Sequence, residues 1–335
     1  MRCSRVLDTD FNNIDLLKVC MSVLVVATHT ELFSIISDIG SRDSLITALS
    51  IKVPFFFVAS GFLVWNKIWN ANRDEKLRRL KKWISKTARL YVVWTIIYLP
   101  FTIYGFYIDD VELTKGVMVF LKNFIFVGEN YLSWPLWYLL GMLIASIIIY
   151  YMVKWNWKTK TMCLVGVSFA VLGVMINWLS SEGYAESILN IYFKLFKTTR
   201  NGFFEGLPYI LIGVFIASKG VIRSKLFLCI SFVLSFILHM CGFRFATFIV
   251  VYTVFSLVIQ INIGQRSENS IFKNMRLTST IVYFVHMIYV GLLSIFCPIK
   301  IEPVLLFSSV VLISFLTAWV VIRFKETSVV KLLFR

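Results

Sequence analysis

Apolar residues in this chain fall in long unbroken runs separated by short segments rich in Lys and Arg, unlike the brief alternating stretches of a soluble core. At about 20 apolar residues per crossing, the pattern predicts ten spans, at residues 14–36, 45–68, 87–108, 134–153, 161–179, 203–218, 226–242, 245–263, 277–297 and 303–322. The expected fold is an all-α polytopic membrane protein of about ten transmembrane helices. Spans 203–218 and 226–242 are short, and Arg244 interrupts the apolar run between 226–242 and 245–263. The stretch Gly116 to Val127 is apolar but too short to cross, and is expected to lie at the outer interface or to re-enter. The first run, Ile14 to Ile36, is longer than a signal-peptide core and lacks a small-residue cleavage pattern, so it is expected to stay in the mature protein. The longest loops, 109–133 and 180–202, are too short to fold alone, which predicts one transmembrane domain over residues 1–335 and no separate soluble domain.

Composition strengthens this picture: 59% of residues are hydrophobic and the mean hydropathy is +0.80, against about 45–50% apolar residues in ordinary soluble domains. A water-soluble enzyme is excluded on these grounds. Lys and Arg number 34 against 18 Asp and Glu, a formal charge of +16. A nucleic-acid partner would need these cations on one face, but they lie at the ends of the apolar runs, so none is expected. With both termini inside, segments 1–13, 69–86, 154–160, 219–225, 264–276 and 323–335 hold 22 Lys and Arg, and the opposite loops hold 8. This bias predicts an N-in, C-in topology. Trp134, Trp137, Tyr138, Trp155, Trp157 and Trp178 fall near span ends, as interfacial belts require. The six cysteines lack the close spacing of zinc or redox sites and are expected to act as small apolar residues, with no metal bound.

Ionisable residues inside spans mark candidate chemistry, because their burial in lipid is expensive. Lys18 and His29 stand eleven residues apart in the first span. That separation is about 16 Å, close to three helical turns, so both share one face, with Lys18 near the cytoplasmic surface and His29 beyond the midplane. The pair suits a ligand with an anionic head and a reactive end deep in the membrane, or else a snorkelling lysine and a helix-bonding histidine. In the second span, Ser60-Gly61 permits close helix approach or a kink, with Ser60 a polar lining group. The densest charge run, Arg73 to Tyr91, places Lys82, Lys86 and Arg89 at i, i+4 and i+7. Such a stripe can anchor the chain on anionic lipid or hold a phosphorylated cofactor.

In this order the elements resemble the acyltransferase-3 family of bacterial membrane acyltransferases. The resemblance rests on the Arg/Lys-x10-His pattern at Lys18 and His29, the FFxxSGF-type segment Phe56 to Phe62, and the basic Lys86-Thr87-Ala88-Arg89-Leu90-Tyr91. Trp137-Tyr138 at a span start and Tyr283-x2-His286 late in the chain also fit. The resemblance covers roughly the whole chain. Ser133-Trp134-Pro135-Leu136-Trp137-Tyr138 departs from the WSLxxE-type segment of many glycan-modifying relatives in having no acidic residue after it. The segment Thr199 to Pro208 is also similar to the membrane half of the serine racemases of vancomycin resistance.

The family resemblance implies a multi-pass enzyme of the bacterial cytoplasmic (inner) membrane. It would move an acetyl or other small acyl group from cytoplasmic acetyl-CoA to a hydroxyl of a cell-surface glycan or its lipid-linked precursor. A neutral imidazole in a low-dielectric site suits the removal of a hydroxyl proton, which makes His29 the candidate general base. Phosphate needs cations, so Lys18, Lys86 and Arg89 are the foremost candidates to hold CoA, followed by Arg78, Arg79 and Lys82. Ser60, Arg200, Glu205 and His286 are candidates on the acceptor side; Arg200 and Glu205 could instead form a structural ion pair, and His286 a helix-to-helix hydrogen bond. His239 is expected to be structural. The expected partners are acyl-CoA, the glycan or lipid-linked acceptor and membrane lipids, with the oligomeric state left open. The rival reading is a transporter or flippase for a lipid-linked sugar or amino acid.

Overall fold

The computed structural model describes residues 3–4, 11–222, 224–261, 272–297 and 301–335. Most of the proposed cytoplasmic segments 1–13 and 264–276, and of the loop 298–302, lies outside the described residues. The described chain is almost entirely helical; its one sheet is the antiparallel pairing of Cys3–Ser4 (β1) with Val221–Ile222 (β2). Among the described residues, seven helical stretches are long and apolar enough to cross a membrane: Ile39–Asn66, Arg73–Ile108, Leu136–Lys154, Thr159–Ser181, Gly202–Lys219, Asn274–Phe296 and Pro303–Arg323. This is a multi-pass, all-α membrane protein.

Residues 1–56 and 221–335 form one compact unit and residues 57–220 a second. In the first unit, α1 (Asn12–His29) packs along α12 (Phe272–Phe296), which also packs on α13 (Pro303–Arg323). The short helices α10 (Lys225–Met240) and α11 (Arg244–Ile259) pack on each other, and α2 (Ile39–Ala48) rests on α10. The break that Arg244 suggested is real: α10 and α11 are separate helices of 16 residues each. The first span is shorter than predicted. Thr30 donates its hydroxyl to the Val26 carbonyl, Glu31 takes a left-handed backbone (φ 54°), and a 3-10 turn follows at Leu32–Ile35, so α1 stops at His29 instead of reaching residue 36.

α1 and α12 are also joined by charge. Asp15, fully buried, accepts two hydrogen bonds from the Arg276 guanidinium, at 2.9 and 3.1 Å. Removing Arg276 would leave a carboxylate in the interior without this partner, although the guanidinium is 39% exposed and water weakens the pair. Arg276→Ala is therefore expected to destabilise the protein by about 1–3 kcal/mol, the range for a stranded buried polar group, read as a lower unfolding midpoint in detergent. Arg276→Lys should recover part of the loss.

In the second unit, α3 (Lys52–Asn66) contributes its residues from Phe57 onward. α4 (Arg73–Ile108) packs on α6 (Leu136–Lys154), and α7 (Thr159–Ser181) packs on α9 (Leu207–Lys219). The proposed loop 69–86 is largely helix: Asn72 caps the amide of Glu75, and α4 runs without a break from Arg73 to Ile108. Its buried face runs from Leu80 and Thr87, two turns apart, to Leu90, Tyr91, Trp94 and Tyr98, and so continues from the basic lead-in into the apolar run, which is why one helix forms instead of a loop and a span. α5 (Leu113–Lys122) continues into a π-turn, Asn123–Val127, and neither is among the candidate spans. A second π-turn, Gly202–Gly206, leads into α9.

Glycines set the tightest contacts of this unit. A Cβ on Gly61 would run into the carbonyl of Ile210, and one on Gly213 into the carbonyl of Val58 and, at 2.5 Å, the amide nitrogen of Phe62. The Ser60-Gly61 step thus serves close helix approach, between α3 and α9. Trp137 and Tyr138 are not belt residues: both are buried, their rings 5.7 and 4.6 Å from that of Phe57, whereas Trp134, Trp155, Trp157 and Trp178 are exposed. Position near a span end does not distinguish the two cases, because α6 turns its second and third residues toward Phe57.

Candidate functional site

In the first unit, α1 carries Lys18 and His29, both half-buried, with His29 as the last residue of the helix. α12 brings His286 beside it. The two imidazole rings lie 5.4 Å apart between centroids and are tilted by 32°. His286 is fully buried, and its Nδ1 lies 3.1 Å from the carbonyl oxygen of Val282 one turn earlier. A carbonyl can only accept, so Nδ1 holds the proton and Nε2 is the bare nitrogen. That Nε2 is buried and has no hydrogen-bond partner among the described residues. Tyr283 presents its ring to His286 at 6.2 Å and to Phe56 at 5.6 Å.

His239 is the contrasting case. Its Nε2 donates to the Thr47 carbonyl at 2.9 Å, with Ser50 Oγ at 3.4 Å, and its Nδ1 accepts from the Thr247 hydroxyl at 2.9 Å. Both nitrogens tie α10 to its neighbours, which is the structural role expected of it.

In the second unit, Lys82, Lys86 and Arg89 lie exposed along one side of the unbroken helix α4, so the i, i+4, i+7 stripe exists. Arg78 and Arg79, also exposed, are both ion-paired with Glu75, one turn back. Glu75 neutralises part of their charge. Ser60 shares a hydrogen bond of 3.0 Å with the Tyr138 hydroxyl. That bond engages both side chains within the helix packing.

Arg200 is exposed, with its guanidinium 4.8 Å from the ring centre of Trp137 and 3.2 Å from the carboxylate of Glu129. Glu205 is half-buried within the second π-turn, whose first amides, Phe203 and Phe204, donate to the Asn201 side chain. Asn201 also donates to the Tyr192 hydroxyl (2.8 Å) on α8 (Glu186–Phe196), and burial pushes the Tyr192 pKa up to about 12, so it stays a neutral donor to the Thr198 carbonyl. Near Glu129, Asn123 donates to Asn130 (3.0 Å) while its own buried oxygen has no partner among the described residues. Glu129, Asn123 and Tyr192 are absent from the sequence reading. Glu129 lies in a loop, where polar residues carry no periodic signal, and only the fold shows that it meets Arg200.

The chain matches the acyltransferase-3 family, described as an acyltransferase domain, over residues 11–323. It belongs to that family. An amino-acid racemase of Enterococcus faecalis is 26% identical over 233 residues, which is 66% of this chain and 31% of that protein. A serine/alanine racemase of Enterococcus gallinarum is 26% identical over 231 residues, 67% of this chain and 32% of its own length. The chain thus spans about a third of the length of these curated relatives. No solved structure gives a significant match.

Proposed function

We propose that this acyltransferase-3 chain is an O-acyltransferase of the bacterial inner membrane, N-in and C-in, transferring acetyl or another small acyl group from cytoplasmic acyl-CoA to a hydroxyl of a surface glycan or its lipid-linked precursor. The observation that carries the reading is a partly accessible imidazole, His29, at the end of α1, with Lys18 eleven residues before it, in a chain of this family. Bound acyl-CoA supplies an activated thioester carbonyl. His29 accepts the acceptor's hydroxyl proton as the oxygen bonds to that carbonyl carbon; the carbon–sulfur bond breaks, and the proton passes to the departing thiolate.

In the second unit the donor set fits a phosphorylated ligand: three exposed cations on one helical stripe, Lys82, Lys86 and Arg89, with Arg78 and Arg79 in reserve. Lys18 has the same role in the first unit. Arg200, exposed and paired with Glu129, offers polar groups of the kind a sugar acceptor needs, with Glu205 nearby in sequence. Purified protein in lipid, given radiolabelled acetyl-CoA and a mixed glycan acceptor, should transfer label. Lys86→Ala and Arg89→Ala should each weaken acyl-CoA binding about tenfold, the value of one charge-assisted hydrogen bond. Lys154→Ala and Lys325→Ala, whose ammonium groups meet the Tyr151 ring and the Asn274 side chain, should leave binding unchanged. Equal losses in all four would make the stripe a lipid anchor.

Reporter fusions after residues 80, 157 and 330 should report cytoplasm, and fusions after 120 and 190 the outside. An external signal at 80 would overturn the orientation, since the seven cations of 69–86 set it.

The racemase names of the relatives favour a second reading, in which the chain carries an amino acid or lipid-linked substrate across the membrane without covalent transfer. Sealed vesicles that equilibrate labelled serine or alanine, with no consumption of acyl-CoA, would establish it.

A further inference from the structure

The buried Nε2 of His286, without a hydrogen-bond partner among the described residues, is not explained by the packing around it. A buried acceptor without a partner destabilises a fold, and a phenylalanine in that place would fill similar volume with no such burden. The Val282 carbonyl holds the proton on Nδ1, so the bare Nε2 is locked into the role of acceptor. Beside it stands the ring of His29, 5.4 Å away between centroids and tilted by 32°. The two rings come from different helices, and His29 alone of the two is partly accessible.

From this we infer that His286 is a positioning residue for His29: its Nε2 accepts the N–H of the His29 ring and thereby selects the His29 tautomer whose other nitrogen is bare and turned to substrate. The inference rests on the acyltransferase reading for its consequence, though not for the pairing itself. The inferred N–H···N contact spans the gap between the two rings, 5.4 Å between centroids. One imidazole then orients another, as a carboxylate orients the base of a hydrolytic triad. No net proton leaves the pair. His29 keeps one proton on the nitrogen facing His286, takes a second from the attacking hydroxyl on its other nitrogen, and returns that second proton to the thiolate. Because the neighbour is a neutral imidazole, the pair needs no buried carboxylate in the membrane interior, where one is expensive.

The chain has three histidines, so ¹⁵N-histidine labelling in lipid bilayers gives a spectrum that can be assigned by removing one ring at a time. In the wild type, Nε2 of His286 should show the shift of a bare ring nitrogen that accepts a hydrogen bond; a protonated Nε2 overturns the proposal with no variant needed. His286→Phe should redistribute the His29 ring shifts between the two tautomers and leave His239, whose nitrogens are both engaged elsewhere, unmoved. The same variant should lower acetyl transfer about 10- to 100-fold with the unfolding midpoint unchanged or raised, because the unpaired nitrogen is gone. His286→Gln, which restores a side-chain acceptor, should recover part of the activity and of the His29 shift. Identical His29 shifts in wild type and His286→Phe, or full transfer by that variant, would overturn the pairing. If the His29 shifts respond and the wild type transfers no acyl group, the pair stands and the acyltransferase reading falls.

Discussion

His29→Ala is expected to lower acyl transfer by about 10²–10⁴-fold, the usual contribution of a general base, while the protein remains folded and still binds acyl-CoA. His29 is the last residue of α1 and only half-buried, and in its absence the helix still ends on the Thr30 hydroxyl. The cations proposed to hold the donor are unchanged in this variant. Transfer rate and donor affinity should therefore separate: kcat falls and the dissociation constant of acyl-CoA stays. His239→Ala is the control on the same chemistry, expected to retain transfer and to lose stability, because it releases the carbonyl of Thr47 and the hydroxyl of Thr247. A folded His29→Ala protein with full activity would remove the imidazole from the mechanism.

The second large effect concerns folding. Gly213→Ala is expected to deplete folded protein in the membrane, because the new methyl group meets backbone atoms of Val58 and Phe62 that no side-chain rotation can move. Overpacking of a tight interior costs about 1–3 kcal/mol where side chains can yield, and here the helices α3 and α9 themselves must separate. In lipid the close approach of helices supplies the association energy, so the loss is not recovered by burying other apolar surface. Gly61→Ala should act in the same way through the Ile210 carbonyl. Gly40→Ala is the opposite case: its nearest neighbour would be an Asp38 oxygen at 3.6 Å, and an alanine within α2 should be neutral or stabilising by about 0.5–1 kcal/mol. Fluorescence-detected size exclusion and thermal unfolding in detergent would read all three; near-equal stability would refute the role assigned to the glycine contacts.

The all-helical class and the approximate position of the long apolar helices are legible in the chain, because a membrane interior requires long apolar runs with their backbone groups bonded within the segment. The Lys18–His29 spacing and the basic stripe from Lys82 to Arg89 are equally legible, since each lies on a single helix whose period is known in advance. The helix ends are less so: hydropathy predicted α1 to residue 36, and the Thr30 hydroxyl and the left-handed Glu31 stop it at His29. Pairings between distant segments carry no mark in composition or period. His29 beside His286, Arg200 against Glu129 and Trp137, Gly61 on Ile210 and Asp15 with Arg276 each join residues far apart in sequence, and each depends on which helix faces pack together. Apolar runs are set by the solvent a segment must enter, a local property of the chain, whereas partners and tautomers are set by packing, which belongs to the folded chain alone.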